Sequence, residues 1–235
     1  MPMGRHRAIS SGGWFILALL AMCVTWPAST AAHDAGGPHL EVFTHETTPW
    51  VAEDAIGLRY TGPLDMKLAQ DLSRVLGDGA RRFRHVVLEL DSEGGELAAV
   101  AAIVRILKGL GKDVELTTRV MGGATCASGC VAVFMQGQKR KASGASVWVF
   151  HGACSAGTNV PSLSATQAYL DLLAESGVDP DFTCKLVLKG YVTRPGAWMI
   201  SGYELFHIHK SNIITELLPA WQPEEPFGLQ LTVPR

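Results

Sequence analysis

Residues 86–111 read VVLELDSEGGELAAVAAIVRILKGLG, and this one stretch leaves few folds open. Val86, Val87, Leu88 and Leu90 are packed too densely for a strand with one wet face, so the run predicts a strand buried on both faces. Gly94 and Gly95 follow at once. Leu97, Val100, Ile103, Val104 and Leu107 then recur at helical spacing until Gly109 and Gly111 close the segment. A buried strand that feeds an apolar helix is half of a parallel crossover unit, and it needs further strands on the same sheet to be stable.

The flanking sequence supplies them. IGLRY, from Ile56, reads as an alternating strand ended by Gly62 and Pro63, and Leu64, Leu68, Leu72 and Leu76 carry a helix to Gly77. DVELTTRV predicts the next strand. GGATCASGC, residues 122–130, predicts a turn into the helix VAVFMQG, and SVWVFH predicts a strand ending at His151. Lys139, Arg140 and Lys141 read as a solvated turn between apolar segments. Beyond the loop GACSAGTNVPS, Ser164 is placed to cap ATQAYLDLLAESG, and DPDFTCKLVLKG predicts another helix. Ser201 and Glu204 have capping-box spacing for a helix to about His207, and NIITEL predicts a last strand. The whole is an α/β fold with a largely parallel sheet over residues 55–218, preceded by a poorly ordered lead-in, 33–54, and followed by a surface tail, 219–235.

Residues 1–32 stand apart. Arg5 and Arg7 precede an apolar run from Trp14 to Val24, then Pro27 and ASTAA, the order of a secretory signal peptide. The run is shorter than the roughly 18 residues a membrane span needs. Cleavage after Ala32 or one residue earlier would send the chain to the periplasm or outside the cell; an uncleaved anchor is the alternative. Met22 makes Cys23 a poor lipidation site. Removing the signal leaves 18 basic against 22 acidic side chains, a balance with no nucleic-acid footprint. Cys126, Cys130, Cys154 and Cys184 then remain, an even number bound for an oxidising compartment. Three connectivities are open to them.

In open parallel sheets, ligands gather beyond the carboxyl ends of the strands. DSEGG, GGATCASGC and His151 all fall at such ends. Acyl transfer needs a nucleophile, a base and oxyanion donors. Ser128 has the hydroxyl, His151 the imidazole, and Gly95 and Gly129 offer backbone amides that no side chain shields. His207 and His209 lie two apart and Cys126 or His151 could complete a set with them, but no carboxylate or cysteine sits at a supporting spacing nearby, so no metal or other cofactor is expected. Trp148, Trp198 and Phe206 read as core aromatics, Met121 and Met135 as gap-filling packing.

DSEGG opening an apolar helix, a small-residue turn with a serine, and a strand closing on FHG together resemble the Clp protease proteolytic subunit, of the ClpP/crotonase-like fold. The resemblance covers roughly residues 55–218 and is strongest to exported bacterial relatives with a cysteine-flanked serine. It implies repeated ββα and βα units, Ser128 as nucleophile, His151 as general base 23 residues on, and Gly95 with Gly129 as oxyanion hole. It also implies a peptide or unfolded-protein substrate and homo-oligomeric assembly. No ATPase partner is implied, because the chain carries no phosphate-binding loop. The family's aspartate falls near Ala197, which cannot accept a hydrogen bond, so Asp179 or Asp181 is the candidate third member, and a dyad is the alternative. A Cys126–Cys130 bridge would clamp the serine turn, with Cys154–Cys184 tying the loop after His151. Two other functions stay open: a degenerate hydrolase that binds peptides or another protein, and an acyl-thioester enzyme, which a glutamate acid/base would favour.

Overall fold

The computed structural model describes residues 37–48, 51–77, 83–154 and 160–219. The expected signal peptide and nearly all of the tail lie outside these residues.

Six strands form the main sheet. β1 (His39–Thr44), β2 (Ala55–Thr61), β3 (His85–Asp91), β4 (Glu115–Val120), β6 (Lys139–Ser143) and β9 (Glu216–Leu218) lie side by side in that order. β1 runs antiparallel to β2, and every other pairing is parallel. Helices α1 (Met66–Gly77) and α2 (Leu97–Lys108) cross between β2, β3 and β4. Their leucine and valine stripes, with Leu72 and Ile103 fully buried, join Ile56, Leu58, Val86, Leu88 and Leu90 in one core.

β3 is more polar than expected on one side. Val87 and Glu89 are only half-buried on the face away from that core, where β2 contributes Gly57 and Arg59. β1 falls inside the stretch expected to be a lead-in: Phe43 packs beside Gly57, and ladder bonds to β2 order the segment.

A second, three-stranded sheet was not foreseen. β5 (Thr125–Ala127) pairs parallel with β7 (Val147–Phe150), which pairs antiparallel with β8 (Trp198–Ser201). Between β5 and β6 runs α3 (Gly129–Phe134), all of whose residues are buried. α4 (Leu163–Glu175), α5 (Pro180–Leu188) and α6 (Gly202–His207) complete the chain. The capping box of Ser201 and Glu204 forms as expected, whereas Ser162, not Ser164, caps α4.

The basic triplet is a correction. Lys139, Arg140 and Lys141 form not a turn but the strand between β4 and β9. The Arg140 guanidinium donates to the carbonyls of Gly137 (3.0 Å), Asn212 (2.8 Å) and Ile213 (2.8 Å). A cation that satisfies three carbonyls tolerates a sheet interior, which charge alone argued against.

Candidate active site

Past β3 the chain leaves β4 and runs beside β5. The Ser92 amide donates to the Thr125 carbonyl (2.7 Å), the Ala127 amide to the Ser92 carbonyl (2.9 Å), and Asp91 Oδ1 accepts from the Thr125 amide (2.9 Å). DSEGG is thus stitched to TCAS, and the two glycines take different tasks. Gly94, at φ +90°, lies against the serine turn: a Cβ there would sit 2.9 Å from Ser128 Cβ and 2.7 Å from the Ala127 carbonyl oxygen. Its amide is occupied by Ser92 Oγ at 3.1 Å. Gly95 faces Leu64, whose carbonyl oxygen a Cβ would overlap. Among the described residues, neither the Gly95 nor the Gly129 amide has a hydrogen-bond acceptor.

Ser128 has φ 52° and ψ −124°, outside the regions where a side-chain-bearing residue rests comfortably. Such a conformation costs roughly 1–3 kcal/mol and persists only where its surroundings over-determine it. Here they do. The Ser128 amide donates to the Val149 carbonyl (2.9 Å), and its carbonyl accepts from the Val131 amide (3.0 Å) and the Tyr169 hydroxyl (3.3 Å). Burial pushes the Tyr169 hydroxyl well above its ordinary value, so it stays a donor. A disulfide joins Cys126 to Cys130 with their Cα atoms 5.3 Å apart, both fully buried. Closing a five-residue loop is worth about 2 kcal/mol in the chain-entropy account, the same order as the strain it spans. The serine sits at the N-cap of α3 but makes no side-chain cap bond, so its half-buried hydroxyl is not used up in holding the helix.

His151 follows the last residue of β7, two positions beyond the Val149 that holds Ser128. Its Nδ1 lies 2.9 Å from the Gly152 carbonyl, which can only accept. Nδ1 therefore carries the proton and Nε2 the lone pair. No hydrogen bond joins Ser128 Oγ to His151 among the described residues; such bonds are often long before substrate arrives.

Neither expected third member bonds to His151 among the described residues. Asp179 Oδ1 caps α5, accepting from the amides of Asp181 (2.9 Å) and Phe182 (3.1 Å), and Asp181 is exposed. The β7–β8 ladder ends with Phe150 paired to Trp198, and its register, continued one step, would set His151 opposite Ala197. The second disulfide does not form. Cys184 lies on the exposed side of α5, whose other side buries Phe182 and Leu186, and the Cys154 thiol turns to the Gly152 carbonyl at 3.6 Å. Tyr169, Gly94 and the Gly152 carbonyl were missed by sequence reasoning. Only Gly94 carried a signal, as the neighbour of a glycine already singled out.

No family model matches the chain, and no curated protein does. Solved structures do. A point mutant of ClpP1 from Listeria monocytogenes is 18% identical with a TM-score of 0.52, covering 69% of this chain and 90% of that one. The ClpP protease catalytic domain of Plasmodium falciparum is 16% identical with a TM-score of 0.54, covering 74% and 90%. The fold is ClpP-like, a mixed α/β architecture with a mostly parallel sheet, as the sequence motifs implied.

Proposed function

We propose that the protein is an exported serine hydrolase acting on peptides or unfolded segments without an ATPase. The observation that carries this reading is the strained, disulfide-spanned conformation of Ser128, whose hydroxyl is left without a structural task. In the reaction, Ser128 Oγ bonds to the substrate carbonyl carbon while its proton passes to His151 Nε2. The oxyanion accepts from the Gly95 and Gly129 amides, the imidazolium gives its proton to the leaving amine, and water then resolves the acyl-enzyme. The Gly152 carbonyl holds the tautomer that an aspartate would hold, but as a neutral dipole it stabilises the imidazolium less, so turnover is slow. The Plasmodium falciparum structure of this fold is a protease by name, which supports a peptide substrate, and homo-oligomeric assembly belongs to the same reading.

Export rests on the N-terminal signal and on the disulfide, which persists best in an oxidising compartment. Among the described residues no helix is long and apolar enough to cross a membrane. A second reading, a degenerate hydrolase that binds peptides, is favoured by the β7–β8 register, which, continued one step past its last pair, sets Ala197 opposite His151. Labelling of the oxidised protein with a fluorophosphonate probe separates the two. Labelling that disappears in Ser128→Ala and in His151→Ala supports the hydrolase. An unlabelled, well-folded parent protein would support the binding protein instead.

A further inference from the structure

The Gly95 amide, one of the two oxyanion donors, is flanked in sequence by two exposed carboxylates, Glu93 and Glu96. Glu96 occupies the N-cap position of α2 without a side-chain cap bond, and neither carboxylate has a hydrogen bond or an ion pair among the described residues. The sheet register sets the side on which Glu93 lies. Ser92 bridges Cys126, and Cys126 pairs with Trp148; all three are buried, so this row faces the core. Side chains alternate along a strand, and Glu93 accordingly turns outward. Along β7 the same alternation buries Trp148 and Phe150 and leaves Val149 and His151 half-buried, so the imidazole turns to the side that Glu93 takes. The next residue after Glu93, Gly94, lies against Ser128.

The charge around the site is one-sided. The segments that build it, residues 91–97, 121–130 and 147–154, contain Asp91, Glu93 and Glu96 and no lysine or arginine. Asp91 is engaged by the Thr125 amide. Acyl transfer nonetheless places a negative charge on the substrate oxygen, between the Gly95 and Gly129 amides. The cation that the mechanism makes there, the imidazolium of His151, forms only as Ser128 attacks and takes no part in drawing substrate in. A site walled by one sign of charge selects ligands of the other.

We propose that the substrates are basic peptides, with a lysine or arginine beside the carbonyl that Ser128 attacks. Glu93 and Glu96 are the specificity residues: they receive that cation, which in turn offsets their repulsion of the oxyanion. This names the substrate class of the proposed hydrolase and rests on the reading of Ser128 as the place where the peptide carbonyl sits.

The test is binding, so that it does not depend on turnover. A fluorescent octapeptide of alternating alanine and lysine, which brings a cation next to the site in any register, is titrated by anisotropy into the oxidised full-length Ser128→Ala protein. The same peptide with every lysine acetylated keeps the side chains and loses their charge. An exposed ion pair is worth a factor of about two to five, so the lysine peptide should bind at least ~5-fold more tightly than the acetylated one, and Glu93→Gln with Glu96→Gln should erase the difference. Glu53→Gln with Asp113→Asn removes two exposed charges at the opposite end of the sheet, ahead of β2 and β4, and should leave binding within about twofold. The proposal is overturned if the two peptides bind alike or not at all, if the double glutamine variant keeps the affinity for the lysine peptide within about twofold, or if the distant pair costs as much. Fluorophosphonate labelling of the parent is read separately. Discrimination without labelling sinks the hydrolase and keeps a basic-peptide site; labelling without discrimination sinks the substrate class and keeps the hydrolase.

Discussion

Ser128 is held by a disulfide across its turn, by the Val149 carbonyl and by Tyr169, whereas His151 is held by the carbonyl of its own neighbour. The cysteines divide in the same way. Cys126 and Cys130 are bonded and buried on the serine side; Cys154, on the histidine side, is a free thiol directed at the carbonyl that positions the imidazole. The two halves meet different demands. A nucleophile in a strained conformation relaxes unless it is clamped, while an imidazole at a strand end needs only its tautomer fixed and can settle when substrate arrives.

The contrast breaks most completely at Gly94. Gly94→Ala drives a methyl group into Ser128 and the Ala127 carbonyl at a positive φ, and fluorophosphonate labelling should fall by more than ~100-fold, as misplaced reacting groups cost that much. The histidine half can be strengthened instead. Ala197→Asp places a carboxylate opposite His151, and the labelling rate should rise at least ~10-fold; an unchanged rate would show that residue 197 does not reach the imidazole.

Removing the clamp gives the next effect. Cys126→Ala with Cys130→Ala should lower the unfolding free energy by about 2 kcal/mol in a denaturant titration and slow labelling, while Cys154→Ser with Cys184→Ser stays within ~0.5 kcal/mol. Tyr169→Phe removes a single buried hydrogen bond to the serine carbonyl and should cost about 1 kcal/mol.

The smallest effect concerns pH. Burial first, then the nearby Lys185 charge, holds His209 below the ordinary imidazole value of 6.5, while Glu204 opposes the shift. Neutral His209 accepts from Lys185 Nζ at 2.7 Å and stacks edge-on to Trp198 at 5.0 Å. The unfolded chain takes up this proton first, so the contribution is present above 6.5 and is lost as pH falls through the folded value. Melting temperatures between pH 7 and 5 should decline more steeply for the parent than for His209→Gln.

β2, β3 and β4 were legible because apolar residues recur along them between turn glycines, a pattern that local chemistry alone can set, whereas β1 lay inside the stretch expected to be a lead-in. β6 was hidden because its sequence is basic, and the carbonyls that make Arg140 welcome come from residues 212 and 213, far along the chain. β8 was hidden for a related reason: WMIS is too short to announce itself, and only pairing with β7 makes it a strand. At the site, the serine turn could be read from its small residues, and the cysteine spacing made the bridge conceivable. The hold of Tyr169 on Ser128 joins positions 41 residues apart and leaves no local trace.

Arg140 also sets an order of events. Its guanidinium finds two of its three carbonyls only after residues 212 and 213 exist, and Thr215 closes the same strand edge. A nascent chain that ends at β7 has its first strands in hand but a cation at the growing edge of the sheet with too few acceptors. The sheet therefore closes last, from its far edge, once nearly all of the described chain has been made.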